Sequence, residues 1–115
     1  MRALLIAIAA FALCGHAAAA GNAAKGKAIA ETKKINNQTC AECHGPTGDA
    51  PTEKDRPILA GQYADYLVKA LSDYKSGKRV HAVMNGVAKD LSKSDIEDLA
   101  AWFASQKSQK LHFQR

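Results

Sequence analysis

A chain of 115 residues that is 47% apolar but only 6% aromatic, and rich in alanine, suffices for one domain with little bulk to fill its interior. The 16 Lys and Arg against 11 Asp and Glu give a net charge of +5, yet no interleaving of basic and aromatic residues points to nucleic acid. With 3 Cys, of which Cys40 and Cys43 form one close pair, the chain is no disulfide scaffold either.

Arg2 supplies a positive start, Ala3 to Leu13 an apolar run, and Gly15 to Ala20 a stretch of mostly small residues. This is the pattern of a secretory signal peptide over residues 1–20, with an A-x-A cleavage site ending at Ala20, leaving 21–115 as the exported domain. An uncleaved anchor fits less well, because the run is short for a span and is broken by Gly15 and His16. Cys14 follows Leu13, where a lipoprotein signal requires a small residue, and reads as an ordinary apolar residue of the leader. Cleavage leaves Cys40 and Cys43 as the remaining cysteines and Met84 as the remaining methionine. A lone close pair on an exported chain calls for an explanation in local chemistry.

Asn22 is placed to cap a first helix running to about Lys34, with Ala24, Ala28 and Ile29 on one side. Gly26 inside it marks either a close approach by another element or a frayed first turn. Residues 35–61, with Gly45, Pro46, Gly48, Pro51, Pro57 and Gly61, read as a long loop, which in a small domain suits the wrapping of a cofactor. From Gln62 to Ser76 the residues Tyr63, Tyr66, Leu67, Ala70, Leu71 and Tyr74 recur at helical spacing, and Gly77 is a C-terminal stop. Lys78 to Leu91 is a second connection holding Met84, Asn85 and Gly86. The last helix is signalled by a Ser92–Asp95 capping box, a Leu91–Ile96 staple, and a stripe of Ile96, Leu99, Ala100 and Phe103 with Trp102 beside it. Three main helices joined by two loops result. Lysines cluster at Lys25, Lys27, Lys33 and Lys34 and again at Lys75 and Lys78 with Arg79. They form a solvated surface and together can steer the protein toward an acidic partner.

The motif Cys40-Ala41-Glu42-Cys43-His44 carries the strongest chemistry. Two cysteines about one helical turn apart present both sulfurs on one side, where they can add to the two vinyl groups of a single haem. His44 follows at once and supplies the proximal iron ligand. A thioredoxin-type dithiol would need a preceding strand and a βαβ context, which the sequence lacks. A zinc site would need further ligands, and His81 and His112 do not form a spaced pair. For the second axial position Met84 is the candidate, with His81 as its rival; a Met–His pair raises the potential relative to bis-histidine. Six-coordinate iron has no open position, which favours an electron carrier, not an enzyme. The competing function is a five-coordinate haem sensor or haem enzyme binding a gas or peroxide. In the four-helix proteins of that kind the motif lies near the C-terminus, unlike here.

With these residues in place the chain resembles the class I c-type cytochromes, in particular the small soluble bacterial periplasmic members with one haem and one half of those with two. The likeness runs through Cys40 to Gly45, Pro57-Ile58-Leu59-Ala60-Gly61-Gln62, Tyr66-Leu67, Met84-Asn85-Gly86 and Leu91 to Phe103. It implies the all-α cytochrome c fold wrapped round one covalently attached haem c, with the first and last helices crossing and Gly26 near Trp102 or Phe103. It implies that the Pro57 carbonyl accepts a hydrogen bond from His44, and that His44 and Met84 are the axial ligands. Relatives often carry a second Met where this chain has Val87. Arg56, Gln62, Tyr66 and Arg79 are candidates for holding the propionates. The implied function is a monomeric periplasmic shuttle for single electrons, between a membrane quinol-oxidising complex and a terminal oxidase or reductase, without stable membrane insertion.

Overall fold

A computed structural model of the chain describes residues 21–108 and Lys110; the expected signal segment 1–20 with its cleavage site, and His112, lie outside the described residues. The chain forms α1 (Ala23–Thr32), α2 (Cys40–His44), α3 (Ala64–Ser76), α4 (Ala82–Ala88) and α5 (Lys93–Ser105). Among the described residues there is no strand, only an isolated bridge between Ile35 and Gln38. The fold is all-α, as expected, but each of the two connections, read above as loops, contains a short helix.

The Asn22 side chain accepts from the Lys25 N–H at 3.0 Å and starts α1. The helix stops at Thr32, short of Lys34, because Lys33 is already extended. Asn36 and Asn37, both with positive φ (51° and 66°), then turn the chain toward α2, a conformation asparagine tolerates better than most residues. Helix α3 begins at Ala64, two residues after Gln62, since Tyr63 occupies the cap position in an extended conformation. It ends at Gly77, whose φ of 80° closes the helix in the left-handed region. At α5 the capping box forms in both directions between Ser92 and Asp95. Leu91 and Ile96 on either side of it are both buried in the core.

The frame of the domain is the crossing of α1 on α5, on which α3 also packs. A Cβ on Gly26 would lie 1.9 Å from the Asp98 carbonyl oxygen and 2.8 Å from Trp102 Cβ, so the glycine marks a backbone-on-backbone approach and not a frayed turn. The neighbour there is Trp102; Phe103 points elsewhere, over Gly48. Two polar ties flank the crossing. Asn22 N–H donates to Asp98 Oδ1 at 2.6 Å, and Lys33 Nζ meets Asp95 Oδ2 at 2.7 Å. Core residues such as Ala30, Leu67, Leu99 and Phe103 fill the space between helices, yet of the large side chains only Leu91 and Leu99 are wholly enclosed among the described residues.

Two predictions follow from this frame. Gly26→Ala gains about 1 kcal/mol of helix propensity but forces two backbones apart, so a net loss of about 1–3 kcal/mol is expected in the urea midpoint. The Lys33 ammonium, with help from the Ser92 N–H, holds the Asp95 carboxyl below the ordinary carboxylate range. Its stabilisation is therefore complete above the unfolded carboxyl value and is lost as pH falls through the depressed folded value. Asp95→Asn is expected to flatten that acid limb of a Tm-against-pH profile.

Candidate cofactor site

The turn that carries Cys40, Cys43 and His44 is closed by its own side chains. Thr39 Oγ1 accepts from Glu42 N–H at 3.1 Å, and Glu42 Oε2 accepts from Thr39 N–H at 2.7 Å, a complete capping box for a five-residue helix. The Thr-x-x-Glu signature of that box stands in the sequence beside the Cys pair and is the signal that α2 is a helix rather than loop. A helix this short is unstable alone, so the box and the loop after it fix the geometry.

That loop brings a carbonyl to His44. Gly48, with φ of 81°, accepts the Leu59 and Ala60 N–H groups on its carbonyl at 2.8 and 3.1 Å. A Cβ at Gly48 would press on the Phe103 ring at 2.7 Å, so the loop lies flat against α5. The chain thereby returns to set Pro57 O 2.9 Å from His44 Nδ1. A carbonyl only accepts, so Nδ1 holds the proton and Nε2 keeps its lone pair, for which no hydrogen-bond partner is found among the described residues. His44 is 6% exposed, and burial pushes its pKa down against the opposing Pro57 bond, with the nearby Arg56 charge adding to the fall. The imidazole is thus held neutral, oriented and able to bind a metal. Cys40 and Cys43 are free thiols, and burial pushes Cys40 up to about 11.

These groups face one cavity of about 460 Å³. Its walls come from α2, the 57–62 segment, α3, α4 and α5, and include Leu59, Leu67, Leu71, Leu99 and Phe103. Cys40, Cys43, His44 and Met84 all line it, so the fold gathers the four sequence candidates in one place. His81 lines it too, but its Nδ1 accepts from the Val83 and Met84 N–H groups at 3.3 Å each, which makes it the N-cap of α4. Nothing in the sequence marks that capping role. Arg56, Gln62, Tyr66 and Arg79 are likewise in the wall. Arg56 is held by Thr52 Oγ1 and Glu53 Oε1 at 2.7 and 2.8 Å, while Arg79 lies 4.8 Å over the Tyr74 ring and bonds Tyr66. An apolar chamber with two thiols, one unpartnered imidazole nitrogen and one thioether fits a flat apolar macrocycle carrying iron.

Comparison with known proteins agrees. The cytochrome c family model matches residues 23–107. The chain is 45% identical over 95 residues to cytochrome c4 of Pseudomonas aeruginosa, covering 83% of this chain and 43% of that protein. It is 41% identical over 86 residues to cytochrome c-554(548) of Halomonas halodenitrificans, covering 70% of this chain and 98% of the relative. A solved cytochrome c4 from Acidithiobacillus ferrooxidans, whose structure supports a complex-induced tuning of electron transfer, superposes with a TM-score of 0.65 at 36% identity. The overlay covers 72% of this chain and 49% of the other. The chain spans about half the length of the cytochrome c4 proteins it matches.

Ala100 is 1% exposed and lines the cavity. Ala100→Leu, which places three more carbons there, is expected to cut haem content per chain several-fold, read as Soret absorbance against protein mass. An unchanged content would mean that the cavity is not where the group sits.

Proposed function

The chain belongs to the cytochrome c family and carries covalently attached haem c, and from that premise we propose that it is a single-haem, one-electron carrier with Cys40 and Cys43 as the thioether links and His44 and Met84 as the axial ligands. The observation that carries this reading is the convergence of both thiols, the His44 imidazole and the Met84 side chain on one largely apolar cavity. Bound there, the iron supplies a one-electron couple between its ferrous and ferric forms.

What the chain itself contributes is support. The α2 capping box presents both sulfurs from a single turn, so each thioether bond forms with little further ordering. The Pro57 carbonyl fixes the His44 ring plane and tautomer and makes Nε2 a stronger donor. Leucine and phenylalanine walls would keep water from the bound group, so that little solvent has to reorganise when its charge changes. Met84 offers a soft sulfur compatible with both oxidation states. The sequence holds one Cys-x-x-Cys-His, in line with one haem.

The partners are redox proteins with acidic docking faces: a membrane quinol-oxidising complex on one side and a terminal oxidase or reductase on the other. Without Arg2 the exported part keeps 15 Lys and Arg (16 − 1) against 11 Asp and Glu, and the cavity wall holds Lys33, Arg56 and Arg79 against Glu53 and Asp55, a basic balance that supports such steering. The setting is the periplasm, reached through cleavage of residues 1–20 and followed by a monomeric life off the membrane. Among the described residues no helix is long and apolar enough to cross a bilayer.

The test is spectroscopic. The protein is expressed with haem-maturation machinery, and wild type, Met84→Ala and His81→Ala are examined in both oxidation states with and without carbon monoxide. Wild type is expected to resist carbon monoxide, Met84→Ala to bind it readily with a changed ferric spectrum, and His81→Ala to behave as wild type. Ready binding by wild type sinks the carrier reading. An unchanged Met84→Ala with an altered His81→Ala moves the ligand to His81.

A further inference from the structure

Helix α4 has seven residues and sits at the edge of the domain, with Val83 48% exposed. A helix of two turns does not hold itself in place. The Met84 side chain is unbranched and adaptable, so its sulfur is positioned only as well as the backbone beneath it. Something must tie α4 to the rest of the domain.

At its C-terminal end Ala88 is fully buried and Val87 packs on the core; at its N-terminal end, where Met84 sits, the tie is the next residue. Asn85 Nδ2 donates to the Tyr74 carbonyl and to the Arg79 carbonyl, both at 2.8 Å. Its Oδ1 accepts from the His81 N–H at 2.6 Å. Its own N–H donates to the His81 carbonyl at 3.0 Å, within the first turn of α4. Both amide hydrogens and the amide oxygen are thus engaged, and the partners dictate which end is nitrogen: two carbonyls require donors, and one N–H requires an acceptor. Tyr74 belongs to α3, the 13-residue helix that packs on α5. One side chain therefore clamps the end of α3, the 77–81 turn and the start of α4 together.

The geometry points to Asn85 as a positioning residue for Met84: its amide holds α4 at the distance from α3 at which the Met84 sulfur stays on the iron, and its loss lets α4 swing out and the sixth position open. This rests on the reading of Met84 as the axial ligand. The three bonds of the amide all go to backbone groups. Its effect is on how often the sulfur leaves.

Asn85→Asp is the sharpest variant, since it keeps the shape and the acceptor for His81 N–H but turns both donations into a carboxylate oxygen facing two carbonyls. Asn85→Ala removes all three side-chain bonds. Losing two ordinary hydrogen bonds corresponds to about tenfold or more in the population of the opened form. Carbon monoxide is expected to bind the reduced holoprotein of either variant about tenfold faster than wild type by that reckoning. The ferric sulfur-to-iron charge-transfer band is expected to weaken at neutral pH. Ile96→Val, a small loss in the core away from α4, serves as the control: it lowers Tm but leaves the carbon monoxide rate and the band unchanged.

If Asn85→Asp and Asn85→Ala lower Tm as the control does while both spectroscopic readouts stay at wild-type values, Asn85 is only a structural cap and the inference fails. If neither variant retains haem, hydrogen exchange in the wild-type holoprotein decides. The His81 amide should be as protected as amides in the middle of α3, and exchange at loop rates overturns the clamp. Met84→Ala separates the two levels of the argument. An unchanged Met84→Ala spectrum ends the axial-ligand reading itself, whereas a changed one beside silent Asn85 variants ends only this inference.

Discussion

The backbone contact of α1 with α5 at Gly26 is the constraint from which the remaining geometry descends. Because no side chain stands between Gly26 and Asp98, the two helices cross close enough for Ala30 and Leu99 to share one thin core. The end of α1 is then secured by Lys33 on Asp95, and the Asn36–Asn37 turn delivers the chain directly to α2. On α5, Leu99, Ala100 and Phe103 become the floor of the cavity, and Phe103 is also the surface on which the Gly48 loop lies. The Cys pair and the histidine are placed by a chain of contacts that starts with the absence of one methyl group.

The site combines rigid and adjustable halves. On the α2 side, a capping box, a left-handed glycine and the Pro57 carbonyl leave His44 little freedom. On the α4 side Ala88 anchors the far end in the core, but the first turn, which carries Met84, is held by a histidine cap and one asparagine amide. In energetic terms the α2 side gains from burial and a closed capping box, while the first turn of α4 depends on a handful of hydrogen bonds of about 1 kcal/mol each. The two sides of the cavity are thus unequal in the free energy needed to open them.

Much of this was legible in the residues. Asn22, Gly77 and the Ser92–Asp95 box set element ends within a few positions of where they occur, because caps are local chemistry that the sequence states outright. The Cys40–His44 spacing announced its ligand for the same reason. The pair of short helices was read as loop, although the Thr39–Glu42 box does mark α2. Five and seven residues are too few to display a period, and α4 is capped by a histidine, a residue whose type does not advertise that role. Gly26 left two readings open until its neighbour on α5 was known, since close approach is a property of two segments and not of one. Met84 stood out as the one methionine among the described residues, but its place in the cavity wall came only with the fold.

The scarcity of fully enclosed large side chains, with Leu91 and Leu99 the two among the described residues, has a consequence for the life of the protein in the cell. A domain whose interior is completed by a covalently attached group draws much of its folding free energy from that attachment. Without the group, the leucine and phenylalanine side chains of that cavity would have no surface to pack against, and the balance would move toward the unfolded chain. Attachment would then count as a folding step as much as a chemical one.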